Sequence, residues 1–126
     1  MAYTGVATDN PTLQSVTMRG PFFANAVTGY TALAGGGQAG AVPMTGDINV
    51  VTTVGTAADS VLLPPAAAGR EITVTNAAAA NSMNVFPFSG DKINALSANA
   101  AFAVAAGKTC TFLSAVAGQW YALLSA

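Results

Sequence analysis

Histidine is missing from this chain, cysteine occurs once, and charged residues make up only 7% of its 126 positions. Each shortage excludes something. Without His, and with Cys110 as the lone thiol, the Ser-His, Cys-His and His-metal arrangements cannot be assembled within one chain. A single cysteine also closes no internal disulfide, so stability must come from burial or from neighbouring chains. Arg19, Arg70, Lys92 and Lys108 stand singly, whereas a phosphate backbone demands several cations on one face. Nucleic acid is therefore not an expected partner. No apolar run reaches the ~20 residues of a bilayer-spanning helix, and "MAYTGVATDN" has neither the basic segment nor the apolar core of a secretory signal. No membrane partner is expected, and the chain is expected to be made and used without crossing one.

What remains is Ala, Thr, Ser, Asn and Gly on the outside. Soluble domains carry about 25% charge, and a net charge of -1 gives copies of this chain almost nothing with which to repel one another. A protein of this composition is expected to live in an assembly.

Texture divides the sequence near Pro43. Residues 1–45 contain "NPTLQ", "RGPFF" and "LAGGGQAGAVP", where Gly and Pro interrupt every apolar run. This part reads as an extended arm with short strands at most, ordered by lying against the other half, a sister subunit or a larger lattice. Its anchors are expected to be Leu13, Val16, Met18, Phe22, Phe23, Tyr30 and Leu33.

Residues 46–126 read as a β-module. Apolar or β-branched runs recur over 48–54, 60–63, 71–76, 82–86, 101–105, 109–115 and 119–124, separated by Gly, Pro, Asn and Asp. Alternation puts Ile72 and Val74 opposite Glu71, Thr73 and Thr75, and puts Cys110 and Phe112 opposite Thr109, Thr111 and Leu113. One apolar and one faintly polar face per sheet predicts an all-β fold of antiparallel strands, a sandwich or small jelly-roll-like barrel. The short alanine runs lack a helical apolar stripe, although 77–81 has room for one helical turn.

Two partial motifs need weighing. Gly35-Gly36-Gly37-Gln38-Ala39-Gly40 satisfies G-x-G-x-x-G, with Asp59 near the distance of the ribose-binding acid, but Val42-Pro43 follows where the fingerprint needs a helix. Ala106-Gly107-Lys108-Thr109 resembles the end of a phosphate loop, yet Phe102 occupies the place of its first glycine. A close-packed glycine loop and a turn built on Gly107 are the expected readings. Neither Lys92 nor Lys108 stands with a Ser in a catalytic pattern. The spacing of Asp9, Asp47, Asp59 and Asp91 matches no calcium loop. No catalytic residue, metal or cofactor is expected.

In "VFPFSGDKIN", Pro87 ends a strand, and Gly90-Asp91 supplies a turn in which Asp91 accepts backbone amides. Gly46-Asp47-Ile48-Asn49 repeats the corner, and a duplicated carboxylate points to geometry and away from catalysis. Trp120-Tyr121 is expected to send one ring into the core and the other to a subunit boundary, with a sugar-stacking platform as the alternative.

The series Asn76, Phe86-Pro87, Gly90-Asp91 with Ile93-Asn94, Gly107 and Trp120-Tyr121 resembles a C-terminal β-module of tailed-bacteriophage structural proteins, particularly head decoration and fibre proteins, over residues 45–126. The resemblance implies a non-enzymatic virion protein made in the host cytoplasm. Its expected place is the capsid surface, as a cement subunit bound to the major capsid protein. Together with the poverty of charge, it implies a homotrimer. The alternatives are a tail, fibre or baseplate component and a glycan-binding virion module using Trp120, Tyr121 or Tyr30.

Overall fold

The computed structural model describes residues 19–21 and 23–126, and within them the fold is all-β with no helix. Ten strands form: β1 Ala26–Thr31, β2 Val42–Pro43, β3 Ile48–Thr53, β4 Ser60–Leu62, β5 Glu71–Asn76, β6 Met83–Phe86, β7 Lys92–Ile93, β8 Phe102–Val104, β9 Thr109–Val116 and β10 Gln119–Leu124. One sheet has the order β1-β3-β5-β9-β10-β7 and the other β2-β4-β6-β8. Residues 77–81 run as coil and bends.

Through β6 the chain alternates strictly between the two sheets. β1, β3 and β5 lie parallel in the larger sheet, and β2, β4 and β6 lie parallel in the smaller one. Each strand therefore meets its partner one circuit later: Val42 lies opposite Val61, and Ile48 opposite Thr73. This is coil-on-coil stacking of the solenoid kind, in which each circuit buries its inner face against the next. The three strands after β7 end the stack differently. β8 runs antiparallel to β6, β9 antiparallel to β5, and β10 returns along β9 through a tight turn at Ala117-Gly118.

The expectation of antiparallel sheets is corrected by this pairing, since β1–β3, β3–β5, β2–β4, β4–β6 and β10–β7 are all parallel. Alternation does not distinguish the two cases, because side chains point to opposite faces of a strand whichever way its neighbour runs. The sequence boundary at 45/46 falls between β2 and β3, which belong to the same two sheets as the rest of the chain. From Ala26 onward, the segment read as an arm thus lies against the remainder of its own chain, Tyr30 beside Val51 and Val42 beside Val61.

Between the sheets lies one core, containing Val51, Val61, Leu63, Val74, Met83, Val85, Ile93, Val104, Cys110, Phe112 and Trp120, all fully buried. Burying each large aliphatic or aromatic side chain contributes about 1.5–3 kcal/mol. Phe102 meets Phe112 edge to face, ring centres 5.9 Å apart at 88°. Ile72, Val74, Cys110 and Phe112 point inward as alternation requires. Three asparagines or aspartates, Asn49, Asp59 and Asn76, are also buried, and each is hydrogen-bonded to backbone. No helix among the described residues is long and apolar enough to cross a membrane.

Candidate interaction surface

The polar side chains of the loops are used to fasten one circuit to the next. Asp47 Oδ2 accepts the Asn25 N–H at 3.2 Å, Asp59 Oδ1 accepts the Gly35 N–H at 3.2 Å, and Asp91 Oδ2 accepts the Ala66 N–H at 2.8 Å. In all three pairs the donor sits 22 to 25 residues earlier, one circuit back. Asn49 Nδ2 likewise reaches Thr73 O at 3.2 Å, and Ser60 Oγ donates to Gly37 O at 2.8 Å. A carboxylate receiving a backbone amide is well suited to this, because a charge-assisted bond satisfies a loop donor that no ladder supplies.

These bonds explain both partial motifs and both Gly-Asp corners. Asp59 and the glycine loop do meet, but the acid closes on the loop itself and also takes the Thr56 N–H at 3.0 Å and the Thr56 hydroxyl at 2.7 Å. These bonds, led by the Thr56 amide, hold the Asp59 carboxyl below its ordinary value of 3.8, against the opposing effect of burial. Gly107, at φ 79, turns the chain from β8 in one sheet to β9 in the other and donates to Asn76 O at 2.8 Å. At the first corner Gly46 is buried, and Asn49 grips both its N–H (2.9 Å) and its carbonyl (2.8 Å). At the second, Gly90 has φ 90 and donates to Asn99 Oδ1 at 2.7 Å, while Asn94 Oδ1 takes the Ala122 N–H at 2.9 Å. Pro87 is buried, its carbonyl accepting from Gln38 Nε2 at 2.7 Å.

Of the expected arm anchors, Leu13, Val16, Met18 and Phe22 lie outside the described residues. Phe23 is 83% exposed. Tyr30 is half-buried, its hydroxyl donating to Asn49 Oδ1 at 3.1 Å and accepting the Thr45 N–H at 3.0 Å. Leu33 is half-buried and bridges Ser60. Trp120 and Tyr121 separate: Tyr121 is 53% exposed, whereas Trp120 is enclosed. The expectation that Trp120 contacts a partner or stacks on a sugar is corrected, because no face of its ring is open. Its Nε1–H has no acceptor among the described residues.

The outer face of the larger sheet carries the surface that sequence reading largely missed. Ala26, Ile48, Thr73, Thr111 and Leu123 stand in one cross-strand row, and Glu71, Leu113 and Tyr121 in another. Thr73 and Thr111 are hydrogen-bonded through their hydroxyls at 3.2 Å, as are Thr75 and Thr109 at 2.8 Å. Beside these low threonines rise Leu113, Tyr121 and Leu123, the last 68% exposed. Of the large hydrophobics exposed among the described residues, Leu113, Val116, Tyr121, Leu123 and Leu124 all belong to the β9–β10 hairpin. Alternation in "TCTFLSA" already put Leu113 outside, but nothing in "QWYALL" said that both adjacent leucines would be open.

At one end of this face an open cleft of about 780 Å³ is lined by Asp47, Ile48, Arg70, Glu71 and Thr73 among others. Arg70 Nη1 donates to Pro65 O at 2.6 Å, so its guanidinium is partly engaged by its own loop. Among the described residues no three His, Cys, Asp or Glu side chains gather to hold a metal ion. No protein-family model, curated protein or solved structure matches this chain.

Proposed function

We propose that this chain is a non-enzymatic structural protein of a tailed-bacteriophage virion, a capsid decoration subunit that associates as a homotrimer and binds the major capsid protein on the outside of the head. The observation that carries the reading is the outer face of the larger sheet, where Leu113, Tyr121 and Leu123 stand open beside uncharged threonines in a chain of net charge -1. Such a surface gains by being covered, and the scarcity of charge does nothing to keep copies apart. The resemblance of residues 45–126 to phage decoration and fibre modules supplies the setting. The work would be mechanical: apolar area buried across neighbouring subunits adds contacts that oppose pressure from within the shell.

Two measurements test this. Sedimentation of the purified chain at rising concentration should give the mass of three copies, and a steady monomer at high concentration would refute self-association. Mass spectrometry of separated virion heads and tails should place the chain in many copies on heads. Its presence on tails alone would move it to the fibre, tail or baseplate class, whose members share a β-rich, weakly charged character.

A further inference from the structure

We propose that residues 26–44, the circuit carrying β1 and β2, form a detachable cover, opening as one unit while the rest of the coil stays folded and so uncovering the edges of β3 and β4. The proposal concerns the single chain and stands apart from the self-association above.

Core burial comes first. Residues 26–44 place only Ala32, Ala41 and Met44 among the buried hydrophobics, whereas 48–63 supply Val51, Val54, Val61 and Leu63, and 71–86 supply Ile72, Val74, Met83 and Val85. Since apolar stabilisation follows the area removed from water, the circuit anchored by two alanines and one methionine has the least to lose by opening. Val51 and Val61 keep a neighbour even then, because β3 also pairs with β5 and β4 with β6.

Backbone freedom acts in the same direction. Gly29, Gly35, Gly36, Gly37 and Gly40 all stand at positive φ within this circuit, while 48–63 contain Gly55 alone and 71–86 no glycine. Released glycine regains more conformational freedom than any other residue. The ladder to β3 slips register on either side of Tyr30, and β2 meets β4 only at Val42 and Pro43. What fastens the cover beyond these ladders is polar: Asp59 Oδ1 accepts the Gly35 N–H at 3.2 Å, Ser60 Oγ donates to Gly37 O at 2.8 Å, and Gln38 Nε2 donates to Pro87 O at 2.7 Å. Water replaces such bonds once the segment lifts, so each contributes little net. The unit ends at Gly46, whose N–H and carbonyl are gripped by Asn49 of β3.

Hydrogen exchange of the full chain, resolved by NMR in rising urea below the unfolding transition, tests this. The amides of Ala32, Leu33 and Met44 donate across to Thr53, Ser60 and Leu62, while those of Leu63 and Asn76 donate to Phe86 and Lys108 in the body of the coil. Corrected for intrinsic rates, the first three should share one protection factor, at least about 30-fold below that of Leu63 and Asn76, and should respond less steeply to urea. A single protection and urea slope for all five would overturn the proposal, as would unlike protection of Ala32 and Met44, which means fraying without a unit. Asp91→Ala separates the two openings, because its bond to Ala66 lies wholly outside residues 26–44 and survives when they lift. The variant should raise exchange at Asn76 about fivefold or more and leave Ala32 and Met44 unchanged. An equal rise at all three would show that the circuit leaves only with the whole fold.

Discussion

Asp91 Oδ2 lies 2.8 Å from the backbone N–H of Ala66, tying the turn before β7 to the loop that enters β5. Ala66 is buried, so its amide has no ready substitute in water. Asp91→Ala should lower stability by about 1–3 kcal/mol, the usual cost of leaving a buried donor unsatisfied. Urea unfolding followed at Trp120 measures it. A change under a few tenths of a kcal/mol would show that the tie is incidental.

Asp59 links stability to acid. Its folded carboxyl is held below the unfolded value by the Thr56 and Gly35 bonds, so its contribution is fully present above about 3.8 and declines as pH falls through the lower folded value. Wild-type protein should therefore lose stability on acidification over a range in which Asp59→Asn loses less. Parallel pH dependence in the two proteins would contradict this role.

Cys110 is fully enclosed, and burial pushes its thiol up to about 11 from an ordinary 9.0. Native protein at pH 8 should resist alkylation, and modification should track unfolding in urea. The sign for alkaline stability follows: the unfolded thiol ionises first, so Cys110 reduces stability as pH rises from about 9 to about 11. Rapid labelling of folded protein would be incompatible with the burial.

Gly36 and Gly69 both have positive φ, 69° and 84°. They differ in space. A Cβ at Gly36 would lie 2.7 Å from the Ala58 carbonyl oxygen, while one at Gly69 would meet nothing within 4 Å. Gly69→Ala should cost about 1–2 kcal/mol for the left-handed conformation alone, and Gly36→Ala about 1–3 kcal/mol more through the clash. Thermal denaturation of the pair isolates the steric part, and equal losses would dismiss it.

The lone tryptophan tests the core directly. Trp120 is fully buried, so its emission should be blue-shifted, little affected by a soluble quencher and indifferent to added sugars. Strong quenching in the folded state would return the ring to the surface.

Sequence alone determined β3 to β6 and β8 to β10 nearly to the residue, together with the inward and outward faces of β5 and β9. In β5 the period of two is unbroken and in β9 it holds from Thr109 to Ala115, and side-chain direction in a strand needs no knowledge of neighbours. β1, β2 and β7 were not legible, because Gly29, Pro43 and the brevity of Lys92–Ile93 break or truncate the pattern. That Asp91 caps a turn was readable from local chemistry; that its amide comes from Ala66, one circuit away, was not.

Tertiary structure decided the direction of pairing and hence the character of the fold. The same alternation serves a parallel coil and an antiparallel hairpin, and the choice rests on where the connection carries the chain. Each loop up to β6 passes to the opposite sheet, so the next strand of the same sheet arrives parallel, while the short turn at Ala117-Gly118 sends β10 straight back along β9. The same closure divided Trp120 from Tyr121. Adjacent residues in a strand face opposite ways, and only the position of β10 over the core settled which ring was enclosed and which was left open for a neighbour.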